Sequence, residues 1–123
     1  MFRFGIALVV AATAAITFAA PASAASPYDG RWSVLIQTTK GPCDTAYRYG
    51  LRIANGNVTY AGEGGFTVRG RVSGNGRVHV RVSSGASYAD GNGRLSQSSG
   101  SGSWRGLGSQ GACSGRWYAD RRG

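Results

Sequence analysis

The sequence has few of the residues on which small catalytic and metal sites depend. It contains one histidine, two cysteines and only five acidic residues in 123. One histidine with two cysteines falls short of the usual four-ligand zinc site, and the acids lack EF-hand spacing. No nucleophile elbow, no phosphate-binding loop before a helix and no HExxH motif occurs. We therefore predict no cofactor, no metal site and no enzymatic activity.

Long apolar runs are also scarce, and the single one lies at the start of the chain. Arg3 precedes the apolar residues 6–20, and Pro21-Ala22-Ser23-Ala24 has the small residues of a cleavage site. We predict a signal peptide at residues 1–24 and one domain at residues 25–123, of about 100 residues. Because no second such run follows, no membrane span is expected. The mature protein is predicted to be periplasmic or secreted.

The sequence has few negatively charged residues. Fourteen Lys and Arg residues oppose five Asp and Glu, a formal net charge of +9, and Lys40 is the one lysine. Such an excess favours an anionic partner, either an envelope component or a polymer, and it keeps a monomer, the state that we predict, in solution. An arginine-rich composition inherited from a GC-rich genome is the competing explanation.

No stretch of the predicted domain has helical spacing. Apolar residues instead alternate with polar ones, as in Trp32, Val34 and Ile36 or Val78, Val80 and Val82. Eight such runs predict an all-β fold, a small antiparallel up-and-down barrel of about eight strands that leaves no exposed edge. A two-sheet β-sandwich is the alternative.

The turns and cysteines support this arrangement. Asn55-Gly56 is a type I′ hairpin sequence, and residues 74–76 fit a three-residue loop with Gly76 in the left-handed conformation. Cys43 and Cys113 fall at the starts of the second and last strands, which meet the first strand if the barrel closes. We predict one disulfide, which should contribute on the order of 4 kcal/mol by closing a long loop.

Three further expectations concern the register of two hairpins and the extent of one loop. The turn at Ser84-Gly85 is predicted to place Val80 opposite Ala89, and hence His79 opposite Asp90. The last hairpin is predicted to place Trp104 opposite Trp117. Residues 96–103 are expected to form a Ser/Gly loop.

The outer face of the fourth and fifth strands is the first candidate site. It would present the candidate anion-binding residues Arg69, Arg71, Arg77, His79 and Arg81. Like charges directly across strands are unfavourable, so a bound anion would account for them. The simpler interpretation is a solvated arginine face. The basic outer face predicts a non-enzymatic binding module for an anionic surface or polymer.

A small secreted phosphodiesterase or ribonuclease is a weaker alternative. It would use His79 with Asp90 or Glu63 as its two titratable groups.

The interior is the second candidate site. The candidate pocket residues are Trp32, Tyr47, Tyr49, Trp104 and Trp117, which would lie over inward-facing glycines. Such an interior is either a packed core or a pocket for a small apolar or aromatic ligand. The pocket hypothesis predicts that enlarging Gly93 or Gly106 abolishes binding and leaves the fold intact.

Two segments of the sequence form a recognisable pair of motifs. One runs from Tyr28-Asp29-Gly30-Arg31-Trp32 through Gly41-Pro42-Cys43-Asp44, and the other from Gly102-Ser103-Trp104 to Cys113-Ser114-Gly115-Arg116-Trp117. Together they resemble a group of small exported alphaproteobacterial proteins of uncharacterised function. Members of the group are loosely labelled as related to haem utilisation or adhesion. The resemblance implies an exported protein, with a haem-related ligand as one possibility for the interior, and it transfers no functional residue.

Overall fold

The computed structural model describes residues 5, 7, 11–14 and 26–123, so most of the predicted signal peptide lies outside the described residues. Eight antiparallel strands form a closed barrel in which each strand pairs with its neighbours in sequence and the first pairs with the last. The predicted all-β barrel is confirmed. The strands are β1 (Gly30–Lys40), β2 (Ala46–Ala54), β3 (Asn57–Tyr60), β4 (Thr67–Val72), β5 (Arg77–Ser84), β6 (Ser87–Leu95), β7 (Ser99–Gly108) and β8 (Gly111–Arg121). No helix in the described part of the chain is long and apolar enough to cross a membrane.

Two of the predicted turns form as expected. Asn55 and Gly56 have φ angles of 52° and 76°, the two positive values that a type I′ turn requires, and Ile53 pairs with Val58. Gly76 has a φ of 85° and lets Val72 pair with Val78. These two turns therefore determine the register of β2 with β3 and of β4 with β5.

The predicted register of the β5–β6 hairpin is wrong by two residues. Val80 pairs with Gly91, and Ala89 pairs with Val82. The turn residues are Gly85 and Ala86, and Gly85 has a φ of 59°, as the first central residue of a type II′ turn does.

The predicted register of the last hairpin is also wrong by two residues. Trp104 pairs with Gly115, and Trp117 pairs with Gly102. Two indoles directly opposite each other would compete for the same interior space, whereas each indole here faces a residue without a side chain.

The Ser/Gly segment expected to be a loop is partly strand, because β7 begins at Ser99. Gly100 and Gly102 provide the reason. A Cβ atom at Gly100 would overlap the side chain of Leu95, and one at Gly102 would lie 2.6 Å from the indole nitrogen of Trp117. These positions belong to the sheet, and their small size makes room for large neighbours.

One end of the barrel is closed by residues 26–29. Tyr28 is buried, and its carbonyl oxygen accepts a 2.8 Å hydrogen bond from the indole nitrogen of Trp32. The Asp29 carboxylate accepts hydrogen bonds from the backbone amides of Asn55 (2.9 Å) and Gly56 (3.2 Å). Arg121 donates to the carbonyl oxygens of Pro27, Gln97 and Asp29. We call this the closed end.

The opposite end carries the predicted disulfide, which is confirmed. Cys43, in the β1–β2 loop, is bonded to Cys113 on β8, with 6.0 Å between their Cα atoms and 70 residues of sequence separation. A disulfide is consistent with an extracytoplasmic protein. It fixes the β1–β2 loop beside the β7–β8 turn at this end, which we call the open end.

Candidate ligand-binding site

An apolar cavity of about 80 Å³ lies inside the barrel. Among the predicted pocket residues, Trp32, Tyr49, Trp104 and Trp117 line it. Branched aliphatic side chains, among them Val34, complete most of the remaining wall. The cavity is roughly half the size of an engineered 150 Å³ cavity that binds benzene. It has room for part of an apolar group.

The polar atoms of the three indoles are directed away from the cavity and into hydrogen bonds. Trp32 donates to the Tyr28 carbonyl, Trp104 donates to the Gln37 carbonyl at 3.0 Å, and Trp117 donates to the Asn92 carbonyl at 3.2 Å. No buried side-chain polar atom in the described residues lacks a partner. The cavity therefore offers apolar contact alone to whatever enters it.

The glycines beside the cavity differ in how much room they leave. A Cβ atom at Gly91, which lines the cavity, would lie 3.5 Å from the indole nitrogen of Trp117, an ordinary contact. At Gly93 it would overlap the carbonyl of Ser101, and at Gly106 it would overlap the carbonyl of Tyr88. Enlarging either glycine therefore requires the neighbouring backbone to shift, so these substitutions would disturb the barrel wall as well as any binding.

A second pocket, of about 470 Å³, opens the barrel to solvent at the open end. It adjoins the inner cavity, because both are lined by Ile36, Tyr49, Val82, Ala89 and Trp104. We call this second pocket the mouth. Its volume lies in the range of small-molecule sites.

Large apolar side chains are concentrated around the mouth. The described residues have five large exposed hydrophobic side chains, and four of these line the mouth: Tyr47, Phe66, Tyr88 and Leu107. The fifth, Tyr118, lies on the outer wall of β8. Exposed apolar residues grouped around an opening indicate a binding site, whereas scattered ones do not.

An aromatic cluster forms one side of the mouth. The Tyr49 ring lies 6.0 Å from the Tyr47 ring and 5.5 Å from the Phe66 ring, centroid to centroid. Burial raises the pKa of Tyr49, with smaller contributions from Tyr60 and Asp44. Tyr47, predicted for the interior, lies at the rim and is 40% exposed.

Among the described residues that line the mouth, Asp44 is the one that carries a charge. The hydroxyl of Tyr47 donates a 2.5 Å hydrogen bond to the carboxylate of Asp44. This hydrogen bond, together with a smaller effect of desolvation, raises the pKa of Tyr47 to about 12. Tyr47 is therefore protonated at neutral pH and holds the carboxylate at the rim. An anionic ligand group would meet a like charge here.

The five predicted anion-binding residues all lie exposed on the outer wall of β4 and β5. Arg69 is directly opposite Arg81, and Arg71 is directly opposite His79. Arg71 donates a 3.2 Å hydrogen bond to the Asn57 side chain. That this patch binds an anion stays a prediction.

The predicted row of His79 and Asp90 does not form, because the β5–β6 register is shifted by two residues. His79 pairs with Asn92, and Asp90 pairs with Arg81, whose guanidinium lies 3.9 Å from its carboxylate. The guanidinium of Arg81 also lies over the ring of Tyr88 at 4.4 Å. His79 and Asp90 are therefore not directly opposed, although the phosphodiesterase alternative expected them to be.

Of the mouth residues, the predicted pocket included Tyr47, Tyr49 and Trp104. The most prominent of those it missed are Asp44, Phe66, Tyr88 and Leu107. Tyr88 and Leu107 are directly opposite each other, each one residue from its strand end. Strict alternation assigns both to the outer face. One signal could have identified them: both are apolar residues on an otherwise polar face, and they lie near the same end of two adjacent strands.

Comparison of the chain with protein family models, with curated proteins and with solved structures gives no match.

Proposed function

We propose that the protein binds a small apolar or aromatic ligand in the mouth, with the tip of the ligand in the inner cavity. The supporting observation is the adjacency of the two spaces, since an apolar cavity inside the barrel shares five lining residues with a wider pocket that is bordered by exposed aromatic side chains. A packed core would account for the interior residues but not for the grouping of exposed apolar residues at one end.

The side chains that line the inner cavity and the rim indicate the polarity of each part of the ligand. The inner cavity presents no free polar group, so the inserted part is a ring edge or a short aliphatic group. At the rim the ligand would meet tyrosine and serine hydroxyls and the Asp44 carboxylate. A neutral or cationic polar end fits this rim, and cations also interact favourably with aromatic faces.

The role that follows is that of a carrier or binding module rather than a catalyst. The disulfide and the predicted signal peptide support a location in the periplasm or outside the cell, where such a module would capture its ligand.

A fluorescence titration with N-phenyl-1-naphthylamine, a neutral aromatic probe, tests the proposal. The probe should bind with saturation and show the blue-shifted emission of an apolar site. Ala89 lies where the two spaces meet, so Ala89→Leu fills the junction and should lower the affinity at least tenfold. Its matched control, Ala54→Leu, enlarges an exposed alanine at the end of β2 and should leave the affinity unchanged.

The thermal unfolding of both variants should show that each is folded. Absence of saturable binding by the unmodified protein would overturn the proposal. So would equal affinity of Ala89→Leu and the unmodified protein, because the probe would then be bound elsewhere.

A further inference from the structure

Like charges face each other across the outer wall at three places. The directly opposed pairs are Arg31 with Arg52, Arg69 with Arg81, and Arg77 with Arg94. Each such pair is unfavourable in the isolated protein. Within the described residues the one ion pair is that of Arg81 with Asp90, so the other two arginine pairs have no carboxylate partner.

Those two unpartnered pairs lie at the closed end. Arg31 is the second residue of β1, and Arg52 is two residues from the end of β2. Arg77 begins β5, and Arg94 is one residue from the end of β6. All four side chains are exposed. We call them the closed-end arginines.

The two pairs stand on opposite sides of the barrel. In a closed ring of eight strands, β5 and β6 are four strands away from β1 and β2. A ligand lying along one side wall reaches one pair only. An extended surface placed against the closed end reaches both.

Charge is distributed unevenly between the two ends. Arg122 adds a further exposed charge beside Arg31. The backbone amide of Arg122 donates a hydrogen bond to the carbonyl oxygen of Arg31. At this end the Asp29 carboxylate is occupied by the backbone amides of the β2–β3 turn. Asp120, one residue from the end of β8, is an exposed carboxylate at the closed end, where the closed-end arginines and Arg122 outnumber it. The open end carries Asp44 and Glu63 in its loops and Lys40 at the end of β1.

We propose that the closed end docks on an anionic phospholipid surface, with the mouth facing away from it. Lipid phosphates would bind between the closed-end arginines and offset their mutual repulsion. Arginine suits this role because its planar guanidinium donates two parallel hydrogen bonds to one phosphate. The orientation leaves the mouth open to solvent, so docking does not depend on the ligand-binding role proposed above.

Vesicle co-sedimentation tests the proposal with the full mature chain. The vesicles are phosphatidylcholine with about one third phosphatidylglycerol, and pure phosphatidylcholine is the reference. One variant is Arg31→Gln/Arg52→Gln, and a second is Arg77→Gln/Arg94→Gln. The matched control, Arg69→Gln/Arg81→Gln, removes the same charge from the directly opposed pair on the side wall.

We expect binding to the anionic vesicles that weakens with added salt, and none to the reference vesicles. Each closed-end variant should bind at least tenfold more weakly, and the side-wall control should change the affinity less than threefold. The midpoint of thermal unfolding of the closed-end variants should be unchanged or higher, because a repulsive pair has been removed.

Three results would overturn the proposal. The first is no binding to anionic vesicles at low salt. The second is an equal loss in all three variants, which would make net charge the cause. The third is loss in one closed-end variant only, since a partner on one side wall, such as a linear polyanion, would produce it.

Discussion

The indole nitrogen of Trp104 donates a 3.0 Å hydrogen bond to the carbonyl oxygen of Gln37, across a whole intervening strand. Trp104 lies on β7 and Gln37 on β1, with β8 between them. The indole crosses β8 at Gly115, where a Cβ atom would lie 3.0 Å from the indole nitrogen and overlap the Gln37 carbonyl. One glycine thus lets a large ring line the cavity while its polar atom stays bonded to the wall.

Gly115→Ala should destabilise the protein by about 1–3 kcal/mol, because the added methyl group overpacks the wall and displaces the indole. Urea unfolding followed by circular dichroism measures the change. The matched control is Gly65→Ala, in the β3–β4 loop, where a Cβ atom would meet open space. That control should stay within about 0.5 kcal/mol of the unmodified protein. Equal stability of the two variants would contradict the packing described here.

Two glycines on the same strand should respond differently to one added methyl group. Gly91→Ala places the methyl group in ordinary contact with Trp117, so stability should be unchanged or slightly higher. Gly93→Ala forces it against the Ser101 backbone and should cost about 1–3 kcal/mol. Parallel urea unfolding curves test this difference, and a Gly91→Ala variant that is the less stable of the two would refute it.

Asp29 should make stability depend on pH in the acid range. Desolvation raises its pKa, but hydrogen bonds from the amides of Asn55, Gly56 and Ser26, together with Arg121, outweigh this and leave the pKa lowered. A carboxyl group with a lowered folded-state pKa stabilises the protein above its ordinary pKa, and this contribution is lost as the pH falls through the folded-state value. The midpoint of thermal unfolding should therefore fall below about pH 4.

The Asp29→Asn variant provides the comparison. It should unfold at a lower temperature than the unmodified protein at pH 7, and the difference should shrink on acidification. The control is Asp120→Asn, which changes an exposed aspartate on β8. A constant difference between the Asp29→Asn and unmodified proteins from pH 7 to pH 2 would show that ionisation of Asp29 does not stabilise the closed end.

Removing the disulfide should both destabilise the protein and loosen the mouth. Closing a 70-residue separation contributes about 4 kcal/mol in the chain-entropy model. The bond also holds Pro42, Cys43 and Asp44 at the rim. The Cys43→Ser/Cys113→Ser variant should show this loss in urea unfolding, and at low temperature it should bind N-phenyl-1-naphthylamine more weakly. Unchanged affinity in a folded variant would mean that the β1–β2 loop takes no part in binding.

Much of the fold follows from local signals in the sequence. Alternation identifies the eight strands, and Asn55-Gly56 determines one register because its turn requires exactly two residues with positive φ. Local signals do not determine the register of the later hairpins. The pairing of Trp104 with Gly115 depends on the fit of an indole against a neighbouring strand, which is a property of the assembled interior.

The candidate site was predictable only in part, because alternation identifies side chains that face the interior but not those that border the mouth at the strand ends. Tyr49 and Trp104 alternate with polar residues and were assigned to the interior, where they line the cavity. Tyr88 and Leu107 lie on the outward side of their strands, yet they border the mouth because both strands end there. Which end of the barrel is open depends on the position of Tyr28 across the other end.

The indole N–H signals of the three tryptophans give the most direct test of the ligand-binding proposal. In a ¹⁵N-labelled sample titrated with N-phenyl-1-naphthylamine, the account predicts saturable shifts of the Trp104 indole signal and of the backbone amides of Ala89 and Val82. The backbone amide of Tyr118, on the outer wall, should not move. Shifts at Tyr118 with none at Trp104 would place the probe outside the barrel and contradict the account.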